Sequence, residues 1–230
     1  LTFTSFNDTI QCQDEKKFVN TTKENPMKKA LSTALMIAMV LASGSALAKS
    51  DPKVSGFVEV MTVTPAMSDH MTLDAGISLG FEHGLSSETF FLVSPGYAEA
   101  YTGIGWAPLP WLMVSAGLGA HQSPDGFDLQ TGYLLWLGHE WFSFCGIVEV
   151  GEKAYQGDHA WIWYDLTARA KVTDWLTLGI KDRRPDGIGP LVELTWPAAH
   201  LTGWIAWTPL ESEKAEVVLD RFMMGAKLGF

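Results

Sequence analysis

From about residue 53 to the C-terminus the chain alternates apolar and polar residues in period two, segment after segment. In "MTLDAGISLGFE", Met71, Leu73, Ala75, Ile77, Leu79 and Phe81 fall on one side, and Thr72, Asp74, Gly76, Ser78, Gly80 and Glu82 on the other. In "IWYDLTARAKV", Ile162, Tyr164, Leu166, Ala168, Ala170 and Val172 oppose Trp163, Asp165, Thr167, Arg169 and Lys171. "WLMVSAGLGAH" sets Leu112, Val114, Ala116, Leu118 and Ala120 against Met113, Ser115, Gly117, Gly119 and His121. Period two is the signature of a strand with two unlike faces. Turn residues separate the segments, and no stretch of this region holds a convincing period of 3.6. The fold class is therefore all-β.

The composition of the two faces narrows the class further. A soluble sandwich packs its apolar faces together and turns its polar faces to water. Here the polar face is mostly Gly, Ser, Thr and charged residues, which suits a crowded, wet interior. The other face is rich in Leu, Val, Ala and Phe, which suits lipid. This outside-in pattern, in segments of roughly ten residues, predicts a transmembrane antiparallel up-and-down β-barrel. Such a protein must be exported. Residues 27–48, "MKKALSTALMIAMVLASGSALA", provide for that: Lys28 and Lys29 precede an uncharged apolar run from Ala30 to Ala42, and Ala46-Leu47-Ala48 is a small-x-small cleavage signal. We expect a secretory signal peptide over 27–48, cleaved after Ala48, with residues 1–26 an upstream segment and 49–230 the barrel. Met27 is then the expected start.

About twelve strands are expected, at roughly 53–64, 71–82, 88–94, 98–107, 111–121, 127–138, 141–152, 160–172, 175–183, 189–197, 201–209 and 215–230. The third is the weakest, because Pro95-Gly96 cuts it short; without its hairpin ten strands remain. An even number puts both ends on the periplasmic side, so the turns after even strands should be the tight ones: "HGLSS", "APLP", "GHE", "TD" and "PAAH". The outward loops are expected to be only slightly longer. Trp106, Trp111, Trp141, Trp175 and Trp196 all fall near the predicted periplasmic turns. Indole favours the lipid–water boundary, so a belt of Trp is expected there.

The last residues, "RFMMGAKLGF", put Phe222, Met224, Ala226, Leu228 and Phe230 on one face. A terminal aromatic preceded by apolar residues at alternate positions resembles the final strand of bacterial outer-membrane β-barrel proteins. In size and strand count the chain is similar to small monomeric twelve-stranded porins. The resemblance implies a Gram-negative outer-membrane location, and it implies that these five residues are the signal read by the assembly machinery. The third residue from the end, often Tyr in that class, is Leu228 here.

A barrel of this size has a backbone diameter of roughly 20 Å. Its inward-parity charges are Glu59, Asp74, Glu82, Asp128, Glu149, Asp165, Arg169, Lys171, Lys181, Glu193, Arg221 and Lys227. Early strands carry the acids and late strands the bases, as in a pore with a transverse field. Inward glycines (Gly76, Gly80, Gly117, Gly119, Gly132 and Gly225) are expected to leave room. We therefore expect these charges to line a channel for passive diffusion of small polar solutes, weakly preferring cations. The alternatives are a closed structural or anchor barrel and a lipid-modifying enzyme. The acidic balance, 16 Lys and Arg against 26 Asp and Glu, argues against nucleic acid. Asp69-His70 and Asp158-His159 pair a carboxylate with an imidazole, but neighbours in an extended chain point apart, and their loops lie half a circumference from each other. His121 and Ser123 have no third partner to activate a nucleophile. No catalytic residue, metal site or cofactor is expected; membrane lipid is the expected partner.

Overall fold

The computed structural model describes residues 53–64, 71–124, 126–152, 162–211 and 217–230. The leader over 27–48, residues 1–26, and the Asp69-His70 and Asp158-His159 pairs lie outside the described residues. Twelve strands follow one another: β1 (Lys53–Val63), β2 (Thr72–Gly80), β3 (Leu85–Ser94), β4 (Tyr97–Leu109), β5 (Leu112–Ser123), β6 (Gly126–His139), β7 (Phe142–Gly151), β8 (Ile162–Lys171), β9 (Leu176–Arg183), β10 (Gly187–Trp196), β11 (Leu201–Trp207) and β12 (Phe222–Gly229). Each pairs antiparallel with the next, and β12 pairs with β1, so the sheet closes into a barrel.

Closure rests on the last strand. Register runs from Phe57↔Gly229 to Val63↔Met223 along the seam. Beyond it, the Gly56 and Phe230 backbones exchange hydrogen bonds of 2.9 and 3.0 Å. The Phe230 ring lies over Gly56, where an added Cβ would meet it at 2.6 Å. Phe222, Met224, Ala226, Leu228 and Phe230 share the outer face, and the seam explains why the chain keeps its alternation to the end.

The alternation sorts the barrel wall as the composition implies. Val58, Val60, Leu73, Ile77, Phe91, Ile104, Leu118, Leu129, Ile180 and Leu194 are exposed on the outside. Trp106, Trp111, Trp141, Trp175 and Trp196 are between 49% and 64% exposed, all at the end of the barrel that carries the short turns. No aqueous sheet protein leaves so continuous an apolar surface uncovered; a bilayer covers it.

Three local expectations are corrected. The dipeptide Pro95-Gly96 does not weaken β3; it is the tip of the β3–β4 hairpin, with Ser94 paired to Tyr97. Pro presets the turn and Gly96 takes the positive φ of 77° that follows it. Glu82 is not on β2 but in a single 3₁₀ turn over Glu82–Gly84, where it is exposed. Finally, β12 starts at Phe222 rather than near 215. The described residues between β11 and β12, 208–211 and 217–221, belong to neither strand, so this outward connection is longer than the short loops expected. Within it Leu210 bridges to Ile188 and to Val217.

Removing Phe230 should strip both seam hydrogen bonds and the ring over Gly56. Refolding yield, read as the folded band in unheated gel electrophoresis, should fall sharply. Gly56→Leu should displace the same ring and cost about 1–3 kcal/mol in urea unfolding.

Candidate functional site: the barrel interior

The inner faces of β1–β12 form the site. Two walls differ in charge. From Met71 to Glu152 the chain has no Lys or Arg, so the inward acids Asp74, Glu88, Glu99, Asp128 and Glu149 on β2–β7 have no basic neighbour within their own wall. Glu59 on β1 adjoins them across the Glu59↔Asp74 register. The bases Arg169, Lys171, Lys181 and Arg183 stand on β8 and β9, and Lys227 on β12.

On the acidic wall a polar network crosses three strands. Tyr97 donates to Glu99 Oε2 at 2.6 Å, Gln130 donates to the same oxygen at 3.1 Å, and His121 Nδ1 lies 2.9 Å from Gln130 Oε1. The Tyr97 and His121 rings stack at 5.5 Å. Glu99, His121, Gln130 and Glu149 are all nine-tenths buried or more. His121 is thus built into a packed network. Glu88 Oε1 accepts from Ser78 at 2.9 Å and Ser86 at 2.5 Å.

On the basic wall Lys181 and Arg169 are paired with carboxylates at hydrogen-bond distance. Lys181 Nζ sits 2.6 and 2.7 Å from the two oxygens of Asp165. Arg169 Nε lies 2.8 Å from Glu193 Oε1. Lys181 also lies over the Trp204 ring at 5.4 Å, and Lys227 over the Phe57 ring at 4.2 Å. The Trp204 indole N–H donates to Glu59. Arg183 rests 4.9 Å above the Trp163 ring.

Of the twelve charges expected inside from parity, Glu82 lies in the turn after β2, and the other eleven divide three ways. Glu59, Asp74, Asp128, Glu149, Asp165, Arg169, Lys181, Glu193 and Lys227 lie on inner faces within the strands. Lys171 is at the turn end, half exposed, and pairs at 2.7 Å with Asp174 in the turn; its hydrogen bond holds the Asp174 carboxyl below its ordinary range. Arg221 precedes β12 at the loop end, 3.2 Å from Glu211 and 3.3 Å from the Asp186 carbonyl. Inward charges that escaped the sequence reading are Glu88, Glu99, Arg183 and, at the turn end of β1 opposite Gly80, Lys53. Glu88 and Glu99 lie within the expected strands 88–94 and 98–107, and the register opposite Ser78 and His121 places them on the inner face. Arg183, the last residue of β9, shares the parity of Lys181 and needed only to be counted.

Inward glycines do not simply leave room. A Cβ on Gly76 would lie 2.6 Å from the Phe57 ring, on Gly225 2.8 Å from Trp204, and on Gly132 3.0 Å from Tyr101; Gly119 also faces the Tyr101 ring. These positions are sockets in which inward aromatic rings lie flat on the wall. Gly117 abuts Gly103, and among the six only Gly80, facing Lys53, has ordinary contact distance around it.

No family model matches the chain, and no curated protein matches it. Solved structures do. The chain is similar to the NanC porin (11% identity, 75% of this chain and 97% of that chain, TM-score 0.48). It is similar to the KdgM porin in complex with disordered oligogalacturonate (10% identity, 76% and 99%, TM-score 0.47). It is also similar to a chain reported under "Unveiling the Mechanism Behind the in-meso Crystallization of Membrane Proteins" (12% identity, 76% and 83%, TM-score 0.51). Identities this low speak to the fold alone, and the fold is a closed twelve-stranded antiparallel barrel.

Lys181 and Asp165 are 9% and 14% exposed in their side chains. Lys181→Met should leave Asp165 buried beside a neutral partner and cost about 3–5 kcal/mol in urea unfolding, whereas the double variant Lys181→Met with Asp165→Leu should recover much of it.

Proposed function

We propose that this barrel is a porin-like channel of the Gram-negative outer membrane, passing small polar solutes by diffusion with a weak preference for cations. The observation that carries the reading is the charge imbalance of the inner wall. The acids of β2–β7 face the interior with no Lys or Arg in those strands, while Lys181 and Arg169 on the opposite wall are each held by a carboxylate. The net field inside is negative and favours cations. On this reading Glu59, Asp74, Asp128, Glu149, Asp165, Arg169, Lys171, Lys181, Glu193, Arg221 and Lys227 line the path or its mouths, with Glu88, Glu99 and Arg183 added to them. The outward face of β12, ending on Phe230, serves as the address for the assembly machinery. Residues 27–48 serve as the export signal.

A closed anchor barrel is the second reading. It is favoured by the burial of Glu99, His121, Gln130, Glu149 and Lys181, each 4–7% exposed although they face the interior. Planar-bilayer recording of refolded residues 49–230 decides between them. A channel should give discrete steps and a reversal potential of cation-selective sign in a salt gradient. Glu99→Gln with Glu149→Gln should then move that potential toward zero. A barrel that inserts and stays silent supports the closed reading.

A further inference from the structure

Arg221 precedes β12, yet its guanidinium reaches past β11 and β10. Its Nη1 lies 3.3 Å from the Asp186 carbonyl oxygen and 3.5 Å from that of Pro185, both in the connection between β9 and β10. Its Nη2 lies 3.2 Å from Glu211 Oε2, in the connection after β11. In the closed sheet β10 and β11 stand between β9 and β12. One side chain thus ties three segments together across the loop end of this sector.

Below that tie lies an apolar row. Leu191 pairs with Ala206, Ala206 with Met223 and Met223 with Val63, so four strands set four apolar residues side by side on the inner face. Leu191 is 2% exposed, Ala206 and Met223 are fully buried, and Val63 packs against them. Thr208 is the next inward position after Ala206, one step nearer the loop end, and its N–H donates to the Arg221 carbonyl at 3.1 Å. Thr208 is fully buried as well, and its Oγ1 has no hydrogen-bond partner.

The ladder is interrupted at the same level. Pairing between β10 and β11 stops at Leu191↔Ala206. Ile188 sends its N–H toward the β11 side, to the Leu210 carbonyl at 2.9 Å. Pro190 has the same parity but no N–H to send, and Pro209 in the facing segment has none either. A Cβ on Gly189 would collide with the Trp207 carbonyl, and one on Gly187 with that of Leu210, so the chain after β11 presses closely on the end of β10. Across the sector it is held by Arg221, whose contacts are longer than those of Lys181 and Arg169 with their carboxylates, at 2.6–2.8 Å.

We infer that Arg221, Glu211 and the carbonyls of Pro185 and Asp186 form a latch. Closed, it holds residues 208–211 over the apolar row and seals the loop end of the β10–β12 sector. Open, it uncovers Thr208 and Ala206 to the aqueous side. Opening hydrates the unpartnered Thr208 hydroxyl and the two latch charges, and it costs exposure of the apolar row. These terms oppose each other, so one polar change at the latch shifts the balance. The latch stands or falls independently of whether the barrel conducts.

Thiol labelling tests it. Thr208→Cys is made in a Cys145→Ser background, with and without Arg221→Gln. Each protein is refolded, checked for the folded band, and treated with a charged maleimide that does not enter the bilayer. With the latch intact, the thiol should label far more slowly than in the urea-unfolded chain. Arg221→Gln should raise the rate by about tenfold or more, since labelling follows the population of the locally open state. Native Cys145, half-buried on β7 outside this sector, is the control; its rate should not change with Arg221→Gln. Equal Thr208→Cys rates with and without Arg221→Gln overturn the latch. So does a thiol that labels like the unfolded chain while Arg221 is present. An equal acceleration at Cys145 also overturns it, because the barrel has then loosened as a whole. Should Arg221→Gln not fold, Glu211→Gln, which removes the charge and keeps the volume, carries the same comparison.

Discussion

Hydrogen-bond closure of the backbone is the constraint on which the rest of this structure depends. In a hydrocarbon medium no water is present to bond an exposed N–H or C=O, so a sheet survives only if it has no edge. Here the last pairing, β1 with β12, removes the edge. The Gly56–Phe230 exchange extends the seam to the last residue of the chain. Strict period two follows from that, because every residue of a closed wall faces either lipid or interior. The Trp belt at the turn end follows as well, since that is where the wall meets water.

Closure also inverts the ordinary energetics of a core. The interior of this barrel is where polar groups are concentrated, and each must find a partner there. Lys181 and Asp165 do so at short range, Arg169 and Glu193 likewise, and Tyr97, Glu99, Gln130 and His121 form one connected network. Removing one member of such a set leaves a buried charge or donor without compensation, which is why buried pairs are costly to break even when forming them gains little. The aromatic rings of Phe57, Tyr101 and Trp204 fill the gaps between these groups, lying on Gly76, Gly132 and Gly225. The smallest side chain and the largest are thus used together: glycine lets a ring lie flat, and the ring supplies a face for Lys227 or Lys181.

Much of the fold could be read along the chain. The twelve strands, the short turns after even strands, the outward Trp and the sorting of acids to early strands and bases to late ones all depend on local periodicity, and local periodicity is written in the sequence. The errors occur where periodicity stops carrying information. Glu82 keeps the parity of β2 but lies past its end, in a turn. Residues 217–221 look alternating but belong to a connection, because Leu210 pairs with Val217 and Ile188 there. Glu88 and Glu99 lie inside expected strands, and only the register opposite Ser78 and His121 shows which face they take.

What the sequence alone determined is which face each residue takes, since a strand fixes that two residues at a time, and that a chain with such faces must close on itself. What only the tertiary structure decided is which interior groups meet. Met61 and Arg183 are separated along the chain by most of the barrel and meet because closure places β1 and β9 across a filled sector. Glycine's role was settled at the same level: parity shows that a glycine faces inward, but only the folded barrel shows whether the space beside it is empty or holds a ring.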